Sequence, residues 1–392
     1  MIFNTWAFAV YGIIVLALYW RAVPARFRPE FLMAAGIVFY AWSVPVYTLL
    51  VLTLAAITYL TGIGMLRASP EEVGRRRAIA AAGIVASVAA LAFFKYTPLF
   101  ADAFRLHGLP TIVVPLAISF FTFEFVHFLT DVYLGKITEV KPRDFLLFTL
   151  FFPTMVAGPI KRYQQFVPQI GHEHLDGDTL AAAVWRVALG FAKKSIIADS
   201  MTPFTAPLLQ PLPTASPLDY LIGVLAYTAK IYFDFTAYSD IAIGVSALLG
   251  YRVPENFDMP YRSASISEFW RRWHISLSSW IRDYLFIPLG GSRQHPARTM
   301  GNLALVMAIA GLWHGAAWHF VVWGLWHGAG LAVHRMWSVF VRARTAFALS
   351  GSLPRHAAAI ALTFAFVALG WVLFASPTLA MAGRVYRGLV GL

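Results

Sequence analysis

The sequence contains no cysteine. That excludes disulfides, thiolate nucleophiles, Cys-ligated zinc and palmitoylation. Charge is the second scarcity. Asp, Glu, Lys and Arg make up 13% of the 392 residues, whereas 59% are hydrophobic. A soluble domain carries about 25% charged residues. Carboxylates are the rarer sign, 19 against 31 Lys and Arg, and none lies between Ile287 and the C-terminus. No H-E-x-x-H motif is present, so the histidines give no zinc signature and no residue is assigned to a metal. GVSAL at 244–248 lacks the second glycine of a G-x-S-x-G nucleophile elbow. No basic segment precedes the apolar run Trp6–Trp20. That run reads as a retained first helix, not a signal peptide.

The apolar excess points to a bilayer. One crossing needs roughly 20 mostly apolar residues. The sequence therefore predicts an all-α polytopic membrane protein of about 9–11 transmembrane helices, with re-entrant and interfacial helices besides. The net charge of +12 fits positive cytoplasmic loops and anionic lipid headgroups. No basic module with interleaved aromatics stands apart, which argues against nucleic acid as a partner.

Arg21, Arg26 and Arg28 mark the first loop as cytoplasmic and hence the N-terminus as outside. Pro45 divides the long apolar run Phe31–Leu66 into two helices, because proline cannot donate its N–H. Arg67–Arg77 reads as a cytoplasmic loop with four arginines, Ala78–Phe94 as a crossing, Thr97–Thr111 as a short outer loop and Ile112–Tyr133 as the return. Phe145–Ala157, interrupted by Pro153, is too short to span and reads as re-entrant or internally buried. Ala181–Ile197 is amphipathic and Pro203–Pro217 a proline-rich loop. Leu218–Leu249 is a long helix carrying Lys230, Asp234 and Asp240. Met300–Leu312, Ala316–Val333 and Ala357–Phe374 complete the apolar set.

SISEFWRRWHISLSSWIRDYL at 265–285 has the strongest pattern. Ser265 and Glu268 form a capping box, S-x-x-E. At 100° per residue, Ile266, Phe269, Trp270, Trp273, Leu277, Trp280, Ile281 and Tyr284 share one face, and Glu268, Arg271, Arg272, Ser279 and Arg282 the other. The spacing predicts one helix lying in the headgroup plane, with His274 at the boundary of its faces. An amphipathic ring tolerates such a boundary position without any further role.

Ionisable groups in apolar helices are functional candidates. Lys230 and Asp234, at i and i+4, are placed to neutralise one another. Asp240 is open to capping, pairing or lining a cavity. In GLWHGAAWHFVVWGLWHGAG at 311–330 the pentapeptide LWHGA occurs twice. On a continuous helix His314 and His327 would face nearly opposite ways, and His319 would be turned from both. One cavity would not use all three, and the duplication alone does not make a two-histidine site.

FDFTAYSDIAIGVSALLGY (233–251), PENFDMPYRSASISEFWRRWHISLSSWIRDYLFIPLGG (254–291) and LWHGAAWHFVVWGLWHG (312–328), with PTMVAGPIKRY (153–163) and GFAKKSIIAD (190–199), resemble the membrane-bound O-acyltransferase family. The likeness runs from about Phe120 to Phe374 and is strongest to the bacterial branch of alginate O-acetylation and teichoic-acid D-alanyl transfer. The resemblance implies a ring of tilted helices around a central tunnel. It divides a single membrane domain into peripheral helices (1–111) and a catalytic core (112–376). It assigns catalysis to His314, the WHG histidine, with His274 as the second signature histidine. Trp273, Asp240, Asn256, Trp313, Lys161, Arg162 and Arg271 are expected to bind substrate or line the tunnel. Glu124 and His127 stand where relatives often have uncharged residues.

The reaction so implied is transfer of an acyl group, acetyl above all, from a thioester to a hydroxyl. The donor would be acyl-CoA or an acyl carrier, with no bound cofactor. The acceptor would be a polysaccharide, or a periplasmic SGNH-type partner, outside the bacterial inner membrane. D-alanyl or longer acyl transfer is the alternative within the family. A lipid or glycan transporter would require inverted repeats, and none is visible.

Overall fold

The computed structural model describes residues 3, 5–43, 45–104, 112–341 and 353–392. All regular structure among them is helical, as the sequence predicts. The chain groups into two units, Met1–Phe191 with Ala237–Glu255, and Ala192–Thr236 with Asn256–Leu392.

The first unit begins with α1 (Trp6–Arg21), whose start is capped by the Thr5 hydroxyl accepting from the Phe8 N–H at 3.2 Å. Helices α2 (Arg28–Ala41) and α3 (Pro45–Arg67) divide where proline predicts. Pro45 opens α3, where its missing N–H costs no helical bond. Helix α4 (Val73–Leu91) starts earlier than the charge pattern suggests and includes Arg75, Arg76 and Arg77. A wide turn at Ala92–Tyr96 continues it into α5 (Thr97–Ala103), so the expected loop from Thr97 is helical at its start. The remainder of that loop, 105–111, lies outside the described residues.

Helix α6 (Ile118–Tyr133) follows, then α7 (Pro142–Leu150) and α8 (Phe152–Met155), split where Phe151 is extended. Phe145, Phe148, Phe151, Phe152 and Met155 are all buried. The short hydrophobic segment is thus an internal piece, as its length required. Helices α9 (Tyr163–Phe166) and α10 (Gly177–Ala192) complete the run.

Several ionisable side chains inside this unit are satisfied by partners within it. Glu124 of α6 pairs with Lys161, both buried. His127 accepts from the Tyr163 N–H at 3.3 Å through Nε2 and donates from Nδ1 to the Phe123 carbonyl at 3.2 Å. Asp131 binds Lys136 at 3.0 Å and the Gln164 amide at 2.6 Å. These contacts tie the 160–166 segment to α6. Asp240, open to several roles in the sequence, pairs with Arg186 at 3.0 Å, and Arg186 also holds Glu255 at 2.6 Å.

In the second unit, residues 199–209 are helical, ending in α11 (Ala206–Leu209), so the proline-rich stretch is only partly a loop. Helix α12 (Pro217–Leu248) contributes its residues up to Thr236 here. Asp234 pairs with Lys194 at 2.9 Å instead of Lys230. A tertiary partner wins over the i,i+4 neighbour. The single interfacial helix expected over 265–285 is two short helices, α13 (Ile266–Arg272) and α14 (Ile275–Ile281). The face assignment survives the break: the named apolar residues are buried except half-buried Trp270. Ser265 accepts from Glu268 N–H at 3.2 Å, while Glu268 reaches the Ala264 N–H at 2.9 Å. The glutamate half of the capping box falls one residue early.

Helices α15 (Pro296–His314) and α16 (Trp318–Met336) form a tight hairpin, followed by α17 (Leu353–Ala375). An amphipathic α18 (Leu379–Leu389), which the sequence reading omitted, is capped by Thr378 and packs on α11 and α17. Among the described residues three helices are long and apolar enough to cross a bilayer: Pro45–Arg67, Val73–Ala101 and Leu353–Ala375.

The hairpin depends on absent side chains. A Cβ on Gly311 would lie 2.0 Å from the Phe320 carbonyl oxygen, and one on Gly324 would lie 2.1 Å from that of Met307. Gly324→Ala should therefore destabilise the protein by about 1–3 kcal/mol, the usual cost of overpacking. Thermal unfolding in detergent would read this as a lowered midpoint; an unchanged midpoint would contradict the packing.

Candidate active site

The break between α13 and α14 places His274. Its backbone is left-handed, φ 44 and ψ 55. For a residue with a Cβ that costs roughly 1–2 kcal/mol. Asn256 holds the strained turn by two routes. Its carbonyl accepts from the Ile275 N–H at 2.9 Å. Its side-chain Oδ1 accepts from the Ser276 N–H at 3.3 Å and the Ser276 hydroxyl at 2.8 Å.

The same Oδ1 lies 3.1 Å from His274 Nδ1. The Ser276 N–H requires an acceptor, which assigns this atom as oxygen. An oxygen can only accept, so His274 Nδ1 carries the proton. Nε2 is then the basic nitrogen. It is buried and finds no hydrogen-bond partner among the described residues. Burial also holds the imidazole below its ordinary pKa, favouring the neutral form. The expectation of a boundary residue is corrected: His274 is 1% exposed.

His314 closes α15, and Gly315 leaves the helix in extended conformation. The continuous helix that would set His314 and His327 on opposite faces does not exist. The first LWHGA ends a helix; the second sits within one. His314 is half-buried and meets Trp323 and Phe374 edge-on, with centroids at 5.1 and 5.0 Å. Trp313 adjoins both histidines, 4.7 Å from His314 and 6.4 Å from His274. The structure thus brings His274, Asn256, Trp313 and His314 into one neighbourhood.

The other histidines divide. His319 donates to the Leu373 carbonyl at 3.0 Å, a packing role. His327 is fully buried among Phe269, Trp270, Trp323 and Phe366, with neither ring nitrogen hydrogen-bonded among the described residues.

Among the remaining predicted residues, Trp273 packs in the aromatic core with Phe257, Phe269 and Trp371. Exposed Arg271 lies on the rim of a cleft between α13–α14 and the hairpin. Lys161, Arg162 and Asp240 belong to the first unit. There Lys161 and Arg162 line a cleft of about 590 Å³ together with Gln165, Gln169 and Arg252. Lys161 has its charge balanced by Glu124. The sequence reading missed Asn256 as the residue that fixes the His274 tautomer. Its only local signal is an asparagine in a turn after a helix.

Residues 109–376 match the family model for MBOAT, the membrane-bound O-acyltransferase family. The chain belongs to that family. It is 37% identical over 386 residues to a probable alginate O-acetylase of Azotobacter vinelandii, covering 95% of this chain and 74% of that protein. It is 34% identical over 400 residues to a peptidoglycan O-acetyltransferase of Helicobacter pylori, covering 93% and 74%. A teichoic acid D-alanyltransferase of Streptococcus thermophilus is 34% identical over 250 residues, 59% of each chain. This O-acyltransferase is therefore a membrane enzyme.

For an O-acyltransferase the arrangement supplies what a hydroxyl nucleophile lacks. A hydroxyl needs a base as it attacks and an acceptor that orients it; two imidazoles adjoin Trp313 here, and His274 presents a lone pair fixed in direction. Asn256→Leu would leave the His274 Nδ1–H and the Ser276 N–H without an acceptor, at about 1–3 kcal/mol each. Ser276→Ala removes a donor instead and should cost less. Thermal unfolding of the two variants checks this order; the reverse order would refute the clamp.

Proposed function

We propose that this protein moves an acetyl group from a cytoplasmic thioester, acetyl-CoA or an acyl carrier, to a hydroxyl outside the cytoplasm. The acceptor is a polysaccharide, or a periplasmic SGNH-type partner that completes the transfer. The enzyme sits in the bacterial inner membrane with its N-terminus outside and residues 112–376 as its catalytic core. The observation that carries the reading is the buried, unpartnered Nε2 of His274 beside Trp313 and His314. Acetyl is favoured because the similarity to the two relatives named for O-acetylation covers 93–95% of this chain, against 59% for the D-alanyltransferase.

His314 takes the proton of the reacting hydroxyl as its oxygen attacks the thioester carbonyl. The new C–O bond forms, the C–S bond breaks, and the proton passes to the departing thiolate. His274 would either orient substrate or donate to the developing oxyanion. The tautomer favours the first role, since a bare Nε2 has no proton to give. It would accept from a neighbouring hydroxyl, which a sugar supplies. Trp313 and Asn256 hold the two imidazoles, and Asp240 braces Arg186 in the first unit. Arg162, in the cleft with Arg252, is assigned to the donor's phosphates, with Lys161 contributing less because Glu124 neutralises it.

His314→Ala should insert normally yet lose about 10²–10⁴-fold in transfer, the usual worth of a general base. Purified protein would be offered labelled acetyl-CoA, a D-alanyl carrier and a long-chain acyl-CoA in parallel. Acetyl label should move, and only with His314 present. Full turnover in the variant would sink the base assignment; transfer of D-alanine alone would sink the acetyl reading.

A further inference from the structure

A second cavity, of about 390 Å³, opens between α13–α14 and the α15–α16 hairpin. Neither His274 nor His314 lines it, so it is not the site described above. Its bed is apolar: Ile281, Val306 and Met307 are buried there, and Phe286 and Leu331 continue the wall. Two exposed arginines stand at its rim, Arg271 and Arg282. Arg271 bonds the Ser267 hydroxyl at 3.1 Å, and Arg282 pairs with its neighbour Asp283 at 2.8 Å. Among the described residues no carboxylate lines the cavity itself. Trp270 forms part of the wall, and its buried indole N–H has no acceptor among the described residues.

We propose that this groove is a binding site for an anionic phospholipid of the surrounding membrane. The phosphate sits at Arg271 and Arg282, where a planar guanidinium pairs well with phosphate oxygens. One acyl chain lies on the bed of Ile281, Val306 and Met307. Three serines also line the cavity, but their hydroxyls are engaged within the protein, Ser267 with Arg271, Ser278 with the Trp273 carbonyl and Ser279 with the Ser276 carbonyl. Charge complementarity and the apolar bed therefore choose this occupant over a polysaccharide, which would need free hydrogen-bonding groups along the floor. A lipid in this groove would bear on α13 and α14 together, and so brace the break that carries His274 from outside the reaction site. The assignment stands independently of the acetyl donor proposed above.

The test uses the full chain in nanodiscs of phosphatidylglycerol and phosphatidylcholine, with retained lipid counted by native mass spectrometry. Phosphatidylglycerol should be retained in preference. The double variant Arg271→Gln and Arg282→Gln should lose that preference by about fivefold per arginine removed. Leu331→Trp, which fills the bed and leaves both charges, should lower retention of either lipid; size-exclusion elution reports that it remains folded. Equal retention of the two lipids by the wild type, or unchanged preference in the double variant, would overturn the proposal. So would displacement of the lipid by acetyl-CoA, which would make the groove a donor site.

Discussion

One oxygen, Asn256 Oδ1, receives three donors from the turn at 274–276. A chain in an apolar surrounding cannot leave backbone donors unmatched, so a helix can break there only if something else accepts. Asn256 is that acceptor. It makes the left-handed backbone at His274 tenable, sets the direction in which α14 leaves α13, and decides which ring nitrogen keeps the proton. The chemistry available to His274 therefore follows from how the backbone break is satisfied.

The hairpin of α15 and α16 answers a different constraint. Its glycines admit carbonyl oxygens where a methyl group would collide, and close approach packs the aromatic rings around His314 and His327. The duplicated LWHGA is one sequence with two outcomes. In the first copy the chain leaves the helix at Gly315; in the second it continues through Gly328. The repeat supplies packing in both places and a half-exposed imidazole in only one.

Much of this architecture was legible in the chain. Pro45 marks a real division, the short run at 145–157 is buried as its length demands, and the two faces of 265–285 fall as the helical period assigns them. The break within that segment was not legible. Trp273 and His274 carry no glycine or proline, and the left-handed turn is held by a residue 18 positions earlier. Local rules also misplaced the partner of Asp234, because Lys194 arrives through tertiary structure. Asp240 was undecidable for the same reason. His274, His314 and Asn256 all stood out because motifs carried them, but that Asn256 is the acceptor holding the turn came only from the contacts around it.

The central claim is that Asn256 fixes His274 with its proton on Nδ1 and a bare, basic Nε2. Nitrogen-15 NMR of histidine-labelled protein tests this directly, with His274→Gln used to assign the signal. The expected spectrum is that of a neutral His274 ring whose Nδ1 is protonated and whose Nε2 is not, with that fixed tautomer lost in Asn256→Leu. A proton on Nε2 in the wild-type protein would contradict it.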